Sequence, residues 1–596
     1  GRHVLQAGPV LGAAVSLLPG GGLFSPMVSG GADFAKRFFP DGATLEKTFE
    51  KLSKVLQGQD KRFLVIIDDI DRLSADEALA IFRLVKSAGR LPNVMYLLVF
   101  DRDLADAAVQ QRYPSEGPHF LEKIIQASFE LPAPIQTDLN NTLLAAVERI
   151  CGDVAEEDVV RFMNLFYDGV VPYLLTPRHV TRLINAMSVT WPAVAGEIDK
   201  ADFMALETLR LYEPKLSSAI KTYRDIATAS ASDYAMDRQN TDKIAPFLVQ
   251  VPTANHETAR NILQRLFPAL EDVTYSTGFT REWDVARRVC IGKHFDTYFR
   301  LSLSDDALST ADIQQFLAEV GNAEFVRSTF REIAHRKRKN GKSMVPVWLD
   351  ELNVHAKRIE KGQVEPFLSA LFSVVDEISL DQDSERGFSI GNTPLRVHWL
   401  IRRLTEDRFD LDERTSLYLT ATINASLDWL IDFSDSAIRD YQQKEGRTTR
   451  PEKCLVTEEA AQTLRQRSLE RLRLAASDGM LIRTHNLLSN LYRWREFSDD
   501  EGGEMKAWLA EQMTRDDVLV ILAKALTGDG WSQVAGDRVA RRKIRASLSD
   551  RFDLFDPTWF RGELDRIIGA KTVSQTDIDA IQVFLTALEE RRFDDD

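Results

Sequence analysis

Cysteine is scarce in this chain. Only three of 596 residues are cysteine, at Cys151, Cys290 and Cys454. They are too few and too far apart for a disulfide framework or a cysteine-rich zinc site. That usage fits a reducing compartment, so a cytoplasmic location is expected. The nine histidines are scattered, with no HExxH and no paired spacing, which leaves metal-hydrolase chemistry on imidazoles without support. Positive charge is also in deficit: 75 Lys and Arg stand against 90 Asp and Glu, a net charge of −15. A global attraction to nucleic acid is excluded, although local basic patches are not. No repeat of fixed period is evident, so a solenoid is not expected.

Long apolar runs are lacking too. From Val4 to Ala32 no residue is charged, but Pro9, Pro19, Pro26 and Gly20-Gly21-Gly22 interrupt the stretch. The longest uninterrupted piece, Val10 to Leu18, falls far short of the ~20 residues a spanning helix needs. A Gly-rich loop is the expected reading there, with membrane contact as its alternative. What the chain has is ordinary globular material, 44% hydrophobic and 28% charged. At about 150 residues per domain, its length suggests three or four domains.

The N-terminal third alternates helix and strand patterns. Leu45, Phe49, Leu52 and Val55 recur at helical spacing. Arg62 to Ile67 is then a continuous apolar run, as in a parallel strand covered on both faces. It ends in Asp68-Asp69-Ile70-Asp71-Arg72. Ser74 and Glu77 form a capping box for a helix over 75–88 that stops at Gly89. A second strand is expected over 94–100, ending in Asp101-Arg102, and a third over 124–131, closed by Pro132 and Pro134. Strand, helix, strand at short spacing predicts right-handed βαβ units.

Parallel sheets bind ligands beyond the carboxyl ends of their strands. Two aspartates directly after an apolar strand therefore sit where a nucleotide and magnesium lie. Asp68 is placed to face Mg²⁺, and Asp69 to orient or deprotonate an attacking water. The alternative is that both acids only cap the next helix together with Ser74.

Four segments carry a family resemblance. Phe63–Arg72 resembles the Walker B region of KAP-type P-loop NTPases, within the STAND-like group. Leu91–Arg102 is similar to the family's next strand with its terminal Asp. Phe120–Pro132 resembles the segment that follows, and Thr176–Asn185 the Pro-Arg helix that closes the nucleotide-binding region. The resemblance implies an α/β P-loop NTPase module (parallel sheet, KAP type) followed by a large, mostly α-helical C-terminal region. It further implies ATP and Mg²⁺ as cofactors, with Asp68 on the metal and Asp69 catalytic. Asp101 and Arg102 would bind nucleotide as sensors, and Arg178 would approach the phosphates from a helical lid, steadying the transferring group.

One part is missing. A complete site needs a GxxxxGK[ST] loop, whose N–H groups cradle phosphate, and the sequence has no match. Gly341-Lys342-Ser343 has the right ending but lacks the first glycine, and Gly292-Lys293 is followed by His294. Either the loop lies upstream of Gly1 or the protein has lost it; the intact Asp-Asp and the non-methionine start favour the first.

Beyond Trp191-Pro192 the pattern is almost wholly helical. The expected domains are an NTPase core without its phosphate loop over 1–135, a helical lid over 136–200, a helical linker region over 201–300 and an all-α region over 301–596. Six tryptophans there, Trp348, Trp399, Trp429, Trp494, Trp508 and Trp531, read as core. Arg288–Arg300 resembles a segment that follows the ATPase region in bacterial KAP proteins. Two basic clusters, Arg336 to Lys342 and Arg538 to Arg545, are expected to be solvated helix faces, with contact to nucleic acid or an acidic partner as the alternative. Neither has interleaved aromatics, which argues against single-strand stacking. Three functions remain open: an ATP-dependent switch with protein partners or as a homo-oligomer, in bacterial anti-phage defence; a non-catalytic scaffold; and a membrane-associated ATPase.

Overall fold

The computed structural model describes residues 45–112, 119–228, 242–271, 275–384, 391–442, 449–533, 540–548 and 552–594. The stretch from Val4 to Ala32 lies outside them. The chain divides into two units between Ala133 and Pro134.

In the first unit, helix α1 (Leu45–Gln57) precedes strand β1 (Phe63–Ile67), helix α2 (Ala75–Ala88), strand β2 (Val94–Leu98) and helix α3 (Arg102–Arg112). The strands pair in parallel, Phe63 opposite Val94 and Ile67 opposite Leu98. Asn93, at φ 61°, starts β2. Its side-chain amide donates to the Leu56 and Gln59 carbonyls, and its own carbonyl accepts from Phe63 N–H. That one residue ties the end of α1 to the start of both strands.

The small core gathers Ile70, Leu79, Phe82, Val109, Phe120 and Leu121, with Ile67, Leu98 and Phe100 packed against it. It covers one face of the strands. On the other face Leu64, Ile66, Met95 and Leu97 are exposed. The continuous apolar run was expected to mean cover on both sides; the pleat sends alternate residues to opposite faces, and the described helices pack on one. The expected third strand over 124–131 is not a strand. Ile124 and Ile125 reach the core, but Phe129 and Leu131 are almost fully exposed. Among the described residues the sheet holds β1 and β2 alone, and the 124–131 segment pairs with neither.

The second unit is helical, with three cores. The first spans Leu139 to Tyr298, so the expected lid and the region after residue 200 share one interior. Helix α4 (Pro177–Thr190) and helix α5 (Lys200–Tyr212) both contribute to it, α5 with nine consecutive buried residues. The second core spans Leu308 to Leu464 and the third Ile431 to Leu588.

The 301–596 region departs from all-α in a β-hairpin and in an isolated bridge between Lys337 and Ser343. After helix α6 (Asp516–Ala525) comes an antiparallel hairpin of β3 (Thr527–Gln533) and β4 (Ala540–Ala546), before helix α7 (Pro557–Ala570) and helix α8 (Gln575–Asp594). Trp348, Trp429 and Trp494 are buried in these cores, whereas Trp399 is nearly half exposed. All three cysteines are buried and free.

Where the first two helical cores meet, the contacts are polar. Lys293 pairs with Asp284 at 2.8 Å and Glu351 at 2.6 Å, and Arg287 with Glu197 at 2.8 Å. His355 is buried beside them, its Nε2 3.9 Å from Glu351. Burial pushes its imidazole down to about 4; Glu351 opposes this, and Arg358, Arg287 and Lys293 add to it. The unfolded chain therefore takes this proton first as pH falls below 6.5, and the fold loses stability until about pH 4. Chemical denaturation of the wild type and His355→Gln should show the wild type losing the more stability across that window; parallel curves would remove His355 from the acid response.

Candidate functional site

The site is built where the two parallel strands end. Ile67 carbonyl accepts from Val99 N–H at 2.9 Å, which keeps the strand ends level. Asp68 follows β1 directly, and Asp101 stands three residues after Leu98. The backbone then turns sharply. Asp69 adopts the left-handed conformation, φ 58° and ψ 30°, uncommon for a residue with a side chain but best tolerated by Asp and Asn. The turn drives Ile70 into the core, where it is 1% exposed, while Asp68 and Asp69 stay at the surface. An Asp68 carboxylate oxygen accepts from Asp69 N–H at 2.7 Å, and Asp69 pairs with Arg72 at 3.0 Å.

This geometry bears on the capping alternative. The N-terminus of α2 is closed by Ser74 and Glu77: the Glu77 carboxylate accepts from Ser74 N–H at 2.9 Å and from its hydroxyl at 2.7 Å. Those bonds hold the Glu77 carboxyl below its usual value. Asp69 precedes only the short turn Ile70–Arg72 and makes no side-chain capping bond there. The cap is complete without the acid pair.

Asp101 and Arg102 have local partners. The Asp101 carboxylate accepts from the N–H groups of Asp103 and Leu104 at 3.0 and 3.2 Å, capping α3, and Arg102 lies 3.7 Å from Asp106. Asp68, Asp69, Asp101 and Arg102 thus share one end of the first unit's sheet. Arg178 belongs to the second unit, at the second position of α4. Pro177 opens that helix and the Thr176 hydroxyl accepts from His179 N–H at 3.2 Å. Arg178 is exposed, with no hydrogen bond or ion pair among the described residues. Sequence reasoning passed over Arg72, the counter-charge of Asp69; the three-residue spacing was the signal that could have found it.

The two near-matches to a phosphate loop are structural. Gly341 sits at φ +83° in a turn, Lys342 donates to Ser384 carbonyl, and Ser343 is buried with its N–H bonded to Asp383. Lys293 is engaged by Asp284 and Glu351, as above.

Magnesium bound with a nucleotide takes one or two protein carboxylates, completing its shell with water and phosphate oxygens. The exposed Asp68 carboxylate, one oxygen held by Asp69 N–H, fits that demand. Among the described residues no group of three or more His, Cys, Asp or Glu is arranged to hold a metal by protein ligands alone, and no helix is long and apolar enough to cross a membrane.

Comparison with known proteins defines the class. Residues 14–194 match the family model described as KAP family P-loop domain, so the chain carries a P-loop NTPase domain of the KAP family. The match runs through Asp68, Asp69, Asp101, Arg102 and Arg178 and crosses the division between the units. Over 555 residues the chain is 25% identical to the Phage T7 exclusion protein of Escherichia coli (strain K12), covering 85% of this chain and 72% of that protein. No solved structure matches.

Proposed function

We propose that the protein binds and hydrolyses ATP with magnesium and works as a nucleotide-dependent switch or assembly subunit in a multiprotein complex of bacterial antiviral defence. The observation that carries the reading is the acid pair itself: two exposed carboxylates beyond a parallel strand, on a left-handed turn, not needed to cap the helix that follows.

In this scheme Asp68 holds the metal, and Asp69 orients the attacking water and takes its proton as the new oxygen–phosphorus bond forms and the bond to the ADP oxygen breaks. Magnesium, when bound, neutralises charge on the phosphates. Asp101 and Arg102 sense the nucleotide at the neighbouring strand end, and Arg178 steadies charge on the transferring group. The defence context rests on similarity to a protein named for excluding phage T7. Protein partners or self-association would read the nucleotide state through the helical unit.

Calorimetric titration of the full-length protein with ATP, with and without magnesium, tests this. Magnesium-dependent binding that weakens at least about tenfold in Asp68→Ala is expected. No binding in either condition would leave the non-catalytic scaffold as the better reading.

A further inference from the structure

The β3–β4 hairpin carries the chain's second basic cluster on a framework unlike the expected helix face. In an antiparallel pair, residues opposite one another share a side. Positions 541, 543 and 545 of β4 lie opposite Ser532, Gly530 and Gly528. By register, these six positions share one side of the hairpin. The glycines leave the cross-strand positions open: a Cβ on Gly530 would meet Arg545 Cδ at 2.5 Å, and one on Gly528 would meet nothing within 4 Å. Arg545 lies across the space that Gly530 vacates. It is exposed and has no ion-pair partner among the described residues. Lys543 reaches Glu590 of α8 at 3.8 Å, its side chain 30% exposed and that of Glu590 55%.

The base of the hairpin is fixed. Leu526, Ala546 and Leu548 are buried in the third helical core. Ser547 N–H donates to Leu526 carbonyl at 2.7 Å, and the Thr527 hydroxyl to Ala523 carbonyl at 2.7 Å. A firmly mounted two-stranded ribbon therefore places positions 541, 543 and 545 on one side of β4, about 6.8 Å apart along the strand, twice the rise per residue.

We propose that this hairpin contacts the sugar–phosphate backbone of duplex DNA, the basic side of β4 lying along the phosphates. The major groove, about 12 Å wide, admits a two-stranded β-ribbon. Phosphate contact needs cations without base-reading amides, which is what positions 541, 543 and 545 supply. That same row carries no aromatic residue, so single strands lose the stacking that binds them. The inference is independent of the nucleotide site.

The test is fluorescence anisotropy of the full chain with a labelled random-sequence 30-base-pair duplex, from 50 to 300 mM salt and without ATP. Wild-type binding should weaken steeply with salt. R541Q/R545Q should bind at least about tenfold more weakly, with the salt slope smaller by about two, since each phosphate contact contributes about 0.9. R541K/R545K, which keeps the charges, should bind within about threefold of wild type. Matched melting curves check that the variants fold. No salt-dependent binding by wild type overturns the proposal, as does R541Q/R545Q binding like wild type. Equal or tighter binding of a single strand or of a polyglutamate peptide, weakened by the same double variant, also overturns it and assigns the surface to that partner.

Discussion

Asp69→Asn should lower ATP turnover by at least about 100-fold while leaving Mg·ATP binding within a few fold of wild type. The size follows from the role: a positioned carboxylate acting on the attacking water contributes about 10²–10⁴-fold, and asparagine keeps the shape but not the basicity. Asn also tolerates the left-handed backbone that Asp69 occupies at φ 58°, so the turn that buries Ile70 survives. The lost ion pair to Arg72 is surface-exposed and worth little. Because Asp68 is unchanged, the metal side keeps its carboxylate. The measurement is steady-state phosphate release by the full-length protein, paired with a binding titration of the same variant. Undiminished turnover would take Asp69 out of the mechanism; loss of binding together with turnover would move it to the metal side.

Asp202→Ala should destabilise the second unit by about 3–5 kcal/mol, the cost of removing one member of a buried charge group. Asp202 is fully buried in α5. Its carboxylate accepts from Arg161 and from Val289 N–H at 2.9 Å, and lies 3.6 Å from the buried Arg288. Asp199 adds a second bond to Arg161 at 2.8 Å. Although burial pulls the Arg161 guanidinium down, Asp202 and Asp199 together hold it above its usual value, and alanine removes one of these two carboxylates. Alanine leaves two guanidiniums in a low-dielectric interior facing one remaining acid. Urea denaturation followed by far-UV circular dichroism measures the effect; a loss below 1 kcal/mol would mean that water or Asp199 takes over the charge.

The same contrast between local and distributed causes decides what the sequence revealed. β1, β2, α2 and the Ser74–Glu77 cap were legible because each is written in contiguous residues: an apolar pentad, a helical period, a four-residue box. The acid pair was found for the same reason. The failures were tertiary. Whether Leu64 and Ile66 are covered depends on what packs against them, and apolarity alone does not say. The 124–131 segment had strand composition, but among the described residues it pairs with no strand. The β3–β4 hairpin was missed because Thr527 to Gln533 is polar and glycine-bearing, and Ala540 to Ala546 is mostly basic. Neither shows the β-branched alternation that marks a strand. Cross-strand pairing and the buried anchors Ala546 and Leu548 hold it instead. The hydrogen bonds of Asp202 join residues up to 87 positions apart, a relation that no reading of local spacing discloses.

The turn at Asp69 acts as a conformational filter on any residue placed there. Side chains branched at Cβ are barred by sterics before their chemistry matters, and unbranched ones enter at a cost of about 1–2 kcal/mol. Asparagine and glycine pass. An inactive valine or isoleucine variant would accordingly reveal a collapsed loop rather than an absent base, and only the residues that pass can separate the two.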